Sequence, residues 1–258
     1  MSILPYYMID FSGSACMFEI RVNDYPVITQ DLDGQVSSMI PINYAILKDG
    51  IQTISATVLP YSGTETLHPK ASLRFKVMLF DVTSDFMFKE QFSEYQTQDV
   101  GDKVLPVLKE AGTFSAQVPY TLNAWQNGSD LKDEKNLKQK LISAYQEIEE
   151  LIANKKYDLF REKISKRERN MVLSMYLSEE ESQSRISGLV SDFESGFEVV
   201  PVTTEGAVLQ IYGNGKVAAL KKADGRSGLM LYNKETKEEL MLDLTFYIPK
   251  GKTEFEII

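Results

Sequence analysis

The sequence predicts two folded parts: an N-terminal all-β sandwich, then an α+β domain with helices packed on an antiparallel sheet. Three observations carry this expectation. Before about residue 130, apolar side chains recur every second residue. From Leu137 to Phe193 they recur every third or fourth residue, and after Gly196 the period returns to two. A period of two puts one side-chain set on each face of a strand, whereas a period near 3.6 makes one stripe along a helix. The boundaries expected are 1–125 and 135–258. Between them Asn123–Asn136, with Gly128, Ser129 and five charges, has the composition of a linker.

The first strand expected is Ala15–Val22, with Cys16, Phe18, Ile20 and Val22 on its apolar face and Met17, Glu19 and Arg21 opposite. Asn23-Asp24 suits a turn before Tyr25–Ile28. Thr53–Leu59 buries Ile54, Ala56 and Val58 after a Lys48-Asp49-Gly50 turn. Leu73–Leu79 buries Leu73, Phe75, Val77 and Leu79. Phe86–Phe88 and Phe114–Val118 are shorter candidates, and Val104–Ala111 could form one helical turn. Several short strands separated by turn signals give this half a general immunoglobulin-like look, an architecture that does not by itself imply a function.

Leu137, Leu141, Tyr145, Ile148 and Ile152 make the stripe of a first helix, and Tyr157, Phe160 and Ile164 that of a second. Ser178 followed by Glu181 is a capping box that starts a third. Ile186, Leu189, Val190 and Phe193 form its stripe, and Gly196 ends it. Val208–Tyr212 and Lys216–Leu220 flank Gly213-Asn214-Gly215, a tight hairpin. Leu229–Tyr232 follows an Asp224-Gly225 turn; Leu240–Ile248 alternates, and Phe255 and Ile257 close the sheet.

Composition excludes several classes. Hydrophobic residues make up 43% and charged residues 25% of 258, which is ordinary for globular chains and unlike disordered or fibrous ones. One cysteine permits no internal disulfide and no multi-cysteine metal site, and one histidine permits no His-rich centre. No apolar run is long enough to span a membrane as a helix. Met1–Ser14 lacks the basic residues of a secretory leader, and Asp10 and Pro5 interrupt it, so the expected compartment is the cytoplasm. Net charge is −9, of which −8 lies before Lys135 (17 acidic and 9 basic residues) and −1 after it. An acidic surface of this kind aids solubility and disfavours nucleic acid.

Local motifs add little chemistry. Cys16, on an apolar strand face, reads as core, and His68 as a loop residue without a nucleophile to serve. Asp31-Leu32-Asp33-Gly34 resembles the start of a calcium loop, but its twelfth position is Ile42 rather than Glu. Gly213-Asn214-Gly215-Lys216 lacks the following Ser/Thr and helix of a phosphate loop. The basic run Lys163–Arg169 reads as a solvated helix face, as do the carboxylates Glu147–Glu150 and Glu179–Glu181.

With no catalytic set, no metal site and no cofactor motif, the expected function is non-enzymatic protein–protein interaction. Asp24, Asp31, Asp33, Asp49, Asp81 and Asp85 fall at turns or strand ends of the first domain, where sandwich loops could gather them into a negative rim for a basic protein. A bacterial immunity-type protein that neutralises a basic toxin is one concrete form. The alternative is a small-molecule binder or enzyme with a pocket in the second domain, lined by Tyr212, Tyr232, Asp243 and Tyr247. Against that, alternation places these four on the outward, solvent face.

Overall fold

The computed structural model describes residues 3–222 and 225–258. The chain divides into two compact units, Met1–Leu122 and Asn123–Ile258. The first contains β1 (Pro5–Val22), β2 (Tyr25–Pro41), β3 (Gly50–Leu59), β4 (Ser72–Asp81), β5 (Met87–Gln96) and β6 (Leu108–Ala116). These form one curled antiparallel sheet in the order β5-β4-β1-β3-β6, with β2 on the other edge of β1. The immunoglobulin-like sandwich of two sheets is therefore not confirmed. The cause lies in β1. Its N-terminal half pairs β4 and its C-terminal half pairs β3, while β2 follows it along the opposite edge. One long strand thus serves both halves of the sheet.

That continuity depends on a bulge. Buried residues of β1 fall at odd positions through Tyr7, Ile9 and Phe11, then at even positions through Cys16, Phe18, Ile20 and Val22. The register with β2 shifts between Ser14 and Cys16, and Ala15 takes φ 48°. An extra residue in one strand bends it and increases its twist. Here it also restores the apolar set to the same face, so both halves of β1 feed one core. Gly13 lets the bend close: a Cβ there would lie 2.6 Å from Phe18 Cε1. Cys16 is fully buried, and burial raises its thiol pKa, in keeping with the core role read from its strand position.

Buried Asn43 ties the start of β1 to the β2–β3 connection. Its Oδ1 accepts from Tyr7 N at 2.6 Å, and its Nδ2 donates to Pro5 O at 3.0 Å. The segment expected as a helical turn before Ala111 instead enters β6, which pairs β3 from Gly50↔Ala116 to Val58↔Leu108.

The second unit contains α1 (Leu137–Ala153), α2 (Tyr157–Met175) and α3 (Glu179–Glu194). They are followed by β7 (Phe197–Val200), β8 (Val208–Tyr212), β9 (Val217–Lys221) and β10 (Leu229–Asn233). Last come β11 (Glu239–Leu242), β12 (Phe246–Tyr247) and β13 (Glu256–Ile257). The strands form two small antiparallel sheets, β11-β10-β7 and β13-β12-β9-β8, rather than one meander. Leu141, Tyr145, Ile148, Phe160, Ile164 and Phe193 of the helices share one core with residues of both sheets. The capping box at Ser178 and Glu181 is present in both directions. Of the expected Asp224-Gly225 turn, Asp224 lies outside the described residues, as do Met1 and Ser2 of the N-terminal segment.

The polar stretch Asn123–Asn136 does not hang free as its composition suggests. Trp125 and Leu131 are buried, and Gly128 bridges Pro249. Ser129 N donates to Ile248 O at 2.8 Å and Leu131 N to Gly215 O at 2.8 Å. Trp125 packs on the hairpin at Gly213, where φ is 60° and a Cβ would meet Trp125 Cδ1 at 2.7 Å. Two apolar anchors and backbone bonding hold a segment whose other side chains are polar.

Candidate functional site

The six acids proposed as a rim are not gathered. Asp24 and Asp49 lie near one another, at the β1–β2 turn and just before β3; Asn23 N donates to Thr53 O there. Asp24 also accepts from Arg21 at 2.8 Å. Asp31 and Asp33 sit midway along β2, near the bulge, and Asp31 accepts from Ser62. Asp81 and Asp85 lie at the β4–β5 turn, next to the start of β1, where Asp81 pairs Pro5. Strand length separates these three places, because β1 spans 18 residues between the first and the last.

Asp81 is structural rather than exposed. Its carboxylate caps the turn Val82–Ser84, accepting from Thr83 Oγ1 at 2.7 Å, Thr83 N at 3.0 Å, Ser84 Oγ at 3.1 Å and Leu4 N at 3.2 Å. These donors, Thr83 first, hold its pKa at about 2, against the partial desolvation that opposes them. A carboxylate depressed in the folded state stabilises above its unfolded pKa. That contribution is lost as pH falls from about 4 towards about 2. In urea titrations Asp81→Asn is therefore expected to be less stable than the native chain at pH 6, with the gap closing below about pH 3. A gap that stays constant with pH would refute the assignment.

Tyr212 and Tyr247 belong to β8 and β12 of one sheet, Tyr232 to β10 of the other, and Asp243 follows β11. Tyr212 and Tyr247 are buried, contrary to the outward placement that alternation gave them, and Tyr232 is half-buried on β10 beside Glu239 and Glu198. Thr245–Ile248 is buried on both faces because the chain passes there from one sheet to the other. Lys166 donates to Tyr247 Oη and to Glu256 Oε2, both at 2.5 Å. Burial opposes the charge on Lys166, but these bonds outweigh it and leave its pKa raised.

Asp243 lines a groove in this unit. This groove, of about 360 Å³, lies among α2, α3 and the end of β11. Phe160 and Ile164 of α2, Ile186 and Leu189 of α3, and Leu242 and Leu244 make its apolar wall. Arg167 and Glu168 of α2, Arg185 of α3 and Asp243 supply its charges. Glu168 follows Phe160 and Ile164 at four-residue spacing, so it continues the buried stripe of α2 and is only 6% exposed. Its Oε1 accepts from Arg167 Nη1 at 2.7 Å. Its Oε2 is buried without a hydrogen-bond partner, and Arg185 Nη2 stands 3.9 Å away. A buried acceptor left unpaired costs about 1–3 kcal/mol, and more when charged. Asp243, at the rim, pairs with Lys221 at 2.7 Å.

The run Lys163–Arg169 has the composition of a solvated helix face, and that composition hides this cluster. The available signal was a carboxylate at the i+4 position of an apolar stripe. Among the Glu147–Glu150 carboxylates, also expected in water, Glu149 is half-buried and bonds Val202 N at 2.5 Å, while burial raises its pKa.

On the first unit the conspicuous surface is the β4–β5 hairpin. Phe86, Met87 and Phe88 are 49%, 57% and 49% exposed. Successive strand residues point to opposite faces, so this end of β5 is uncovered on both. Asp85 and Phe86 take φ 53° and 55°, a region that a bulky residue such as Phe rarely adopts. Phe86 touches Tyr6 edge-on at 5.1 Å.

Among the described residues, no group of three or more His, Cys, Asp or Glu is placed to hold a metal ion. None of their helices is long and apolar enough to cross a membrane. No protein-family model, no curated protein and no solved structure matches the chain.

Proposed function

We propose that the protein is a non-enzymatic binding protein whose first unit engages a basic protein through the β4–β5 hairpin. The observation that supports this reading is the exposed Phe86-Met87-Phe88 run, held partly in a strained backbone at the edge of the sheet. Exposed apolar clusters rimmed by polar groups mark interaction surfaces, and strain persists where function uses it. An edge strand also offers unpaired backbone groups to an added strand. The partner's charge follows from the surface around the run. Asp85 precedes it, Glu90 follows it after Lys89, which pairs with buried Asp81 at 3.4 Å, and the first unit carries 14 acidic against eight basic residues. In this reading the acids of the hairpin steer the encounter, and the aromatic side chains hold the complex. The compartment proposed is the cytoplasm, where a lone thiol such as Cys16 stays reduced.

The test places a photo-crosslinking residue at Met87 of the full chain in its native host. The expected product is a cross-link to one basic protein. Phe86→Ser with Phe88→Ser should weaken that complex by about a hundredfold or more, as loss of two aromatic anchors does. Its association rate should fall as salt rises. A cross-linked partner that is acidic, or an affinity unchanged in the double variant, would overturn the reading.

A further inference from the structure

The first unit has a second free edge, and its argument does not depend on the partner proposed above. In one half of the sheet the order is β2-β1-β4-β5, so β2 and the β4–β5 hairpin lie on opposite edges. Among the described residues β2 pairs with β1 alone, so no strand lies along its outer side. Edge strands present unpaired N–H and C=O groups, and natural proteins blunt them with charged side chains. The edge strands β5, β6, β7, β11 and β13 each carry at least one Lys or Glu. β8 carries none but has only five residues. In β2 the run Gln35–Pro41 holds no charge, and Gln35, Ser37, Ser38 and Met39 are exposed. Val36 and Ile40, opposite Gly13 and Ile9 of β1, are half-buried against the core. This is a flat, uncharged edge without the usual protection.

Symmetry identifies its occupant. A two-fold axis perpendicular to the sheet adds an antiparallel strand and keeps each face continuous, so every residue meets one of its own parity. With the axis at Ser38, Val36 of each copy lies opposite Ile40 of the other on the core face. Ser38 lies opposite itself between them, and Ser37 lies opposite Met39 on the outer face. Directly opposed apolar pairs are the unit that stabilises a sheet, and here one such pair occurs twice. We propose that β2 pairs with β2 of a second copy in this register, joining two sheets into one. Charge supports a second copy over a basic partner at this edge. Gln35–Pro41 offers a cation nothing to pair with, and Asp33 falls opposite Asn43, past the end of the second copy's strand. Asp10 of β1, beside Met39, is already paired with Lys76 at 3.3 Å. Two chains of net charge −9 thus meet along an uncharged seam.

The test is sedimentation velocity of the full chain at concentrations up to about 1 mM. The expected result is a reversible dimer with a Kd of about 100 µM or below, as a short seam gives a weak interface. Ser38→Lys sets two like charges opposite each other and should weaken the dimer at least about tenfold. Ser38 is exposed, so this variant is expected to fold as the native chain does. Ser38→Cys should form an interchain disulfide on oxidation, because directly opposed residues have Cα atoms about 4.5–5.5 Å apart. Thr113→Cys, equally exposed on the edge strand β6, should not, and buried Cys16 does not compete. A chain that stays monomeric at about 1 mM would overturn the proposal. So would a dimer that Ser38→Lys leaves intact, or cross-linking through Thr113→Cys as fast as through Ser38→Cys.

Discussion

Phe18→Ala is expected to destabilise the first unit by about 3–5 kcal/mol, a large part of the roughly 5–15 kcal/mol that holds a typical domain folded. Phe18 is fully buried, its ring centroid lies 5.7 Å from that of Phe11, and its edge fills the space that Gly13 leaves. The ring therefore locks the two halves of β1 across the bulge. Removing it leaves a cavity that the paired strands on both edges of β1 cannot collapse to fill. Denaturant unfolding followed by far-ultraviolet circular dichroism should show the loss. Phe18→Leu, which retains most of the volume, should cost far less. A loss under about 1 kcal/mol for Phe18→Ala would mean that the ring is not locked in this way.

Tyr145→Phe is expected to cost the second unit about 1–3 kcal/mol although it removes one oxygen. Tyr145 is fully buried on α1, and its hydroxyl donates to Leu244 O at 2.8 Å and accepts from Leu220 N at 3.1 Å. The phenyl ring of the variant would keep its packing on Phe246, whose centroid is 4.8 Å away. Two backbone groups on two connected segments would lose their partner in a place that water does not reach. Trp125, the single tryptophan and buried in this unit, reports the transition by fluorescence. An unchanged midpoint would show that the hydroxyl does not bridge α1 to the sheet residues.

Both residues were legible in part. The even-numbered alternation from Cys16 to Val22 marks Phe18 as inward, and the helical stripe through Leu141 and Ile148 does the same for Tyr145. Neither pattern shows what each residue touches. The bulge at Ala15 reverses the parity of β1, so Pro5–Ser14 and Cys16–Val22 read as unrelated segments. The length of the strand was hidden for that reason, and with it the single curled sheet. Most of β2 is exposed or half-buried, with no buried alternation to reveal its 17 residues. At the candidate sites the difficulty was charge. Glu168 continues the apolar stripe of Phe160 and Ile164, but Arg185 has no such local mark, and only the packing of α2 against α3 brings them to one groove.

Local sequence settles where strands give way to helices and where helices give way to strands. It also determined the cap at Ser178, the hairpin at Gly213–Gly215, and the inward face of most elements. These are local matters: side-chain period and turn geometry act over a few residues, and propensity and burial agree there. Tertiary structure alone decided that β1 is shared by β3 and β4, and that Trp125 and Leu131 anchor a polar stretch. It also decided that Tyr212 and Tyr247 turn inward while one glutamate oxygen is left unpaired beside an arginine. Each of these depends on which distant segments meet. Strand register and helix packing are chosen by the whole core at once, and a one-residue bulge is enough to reverse what a local pattern implies.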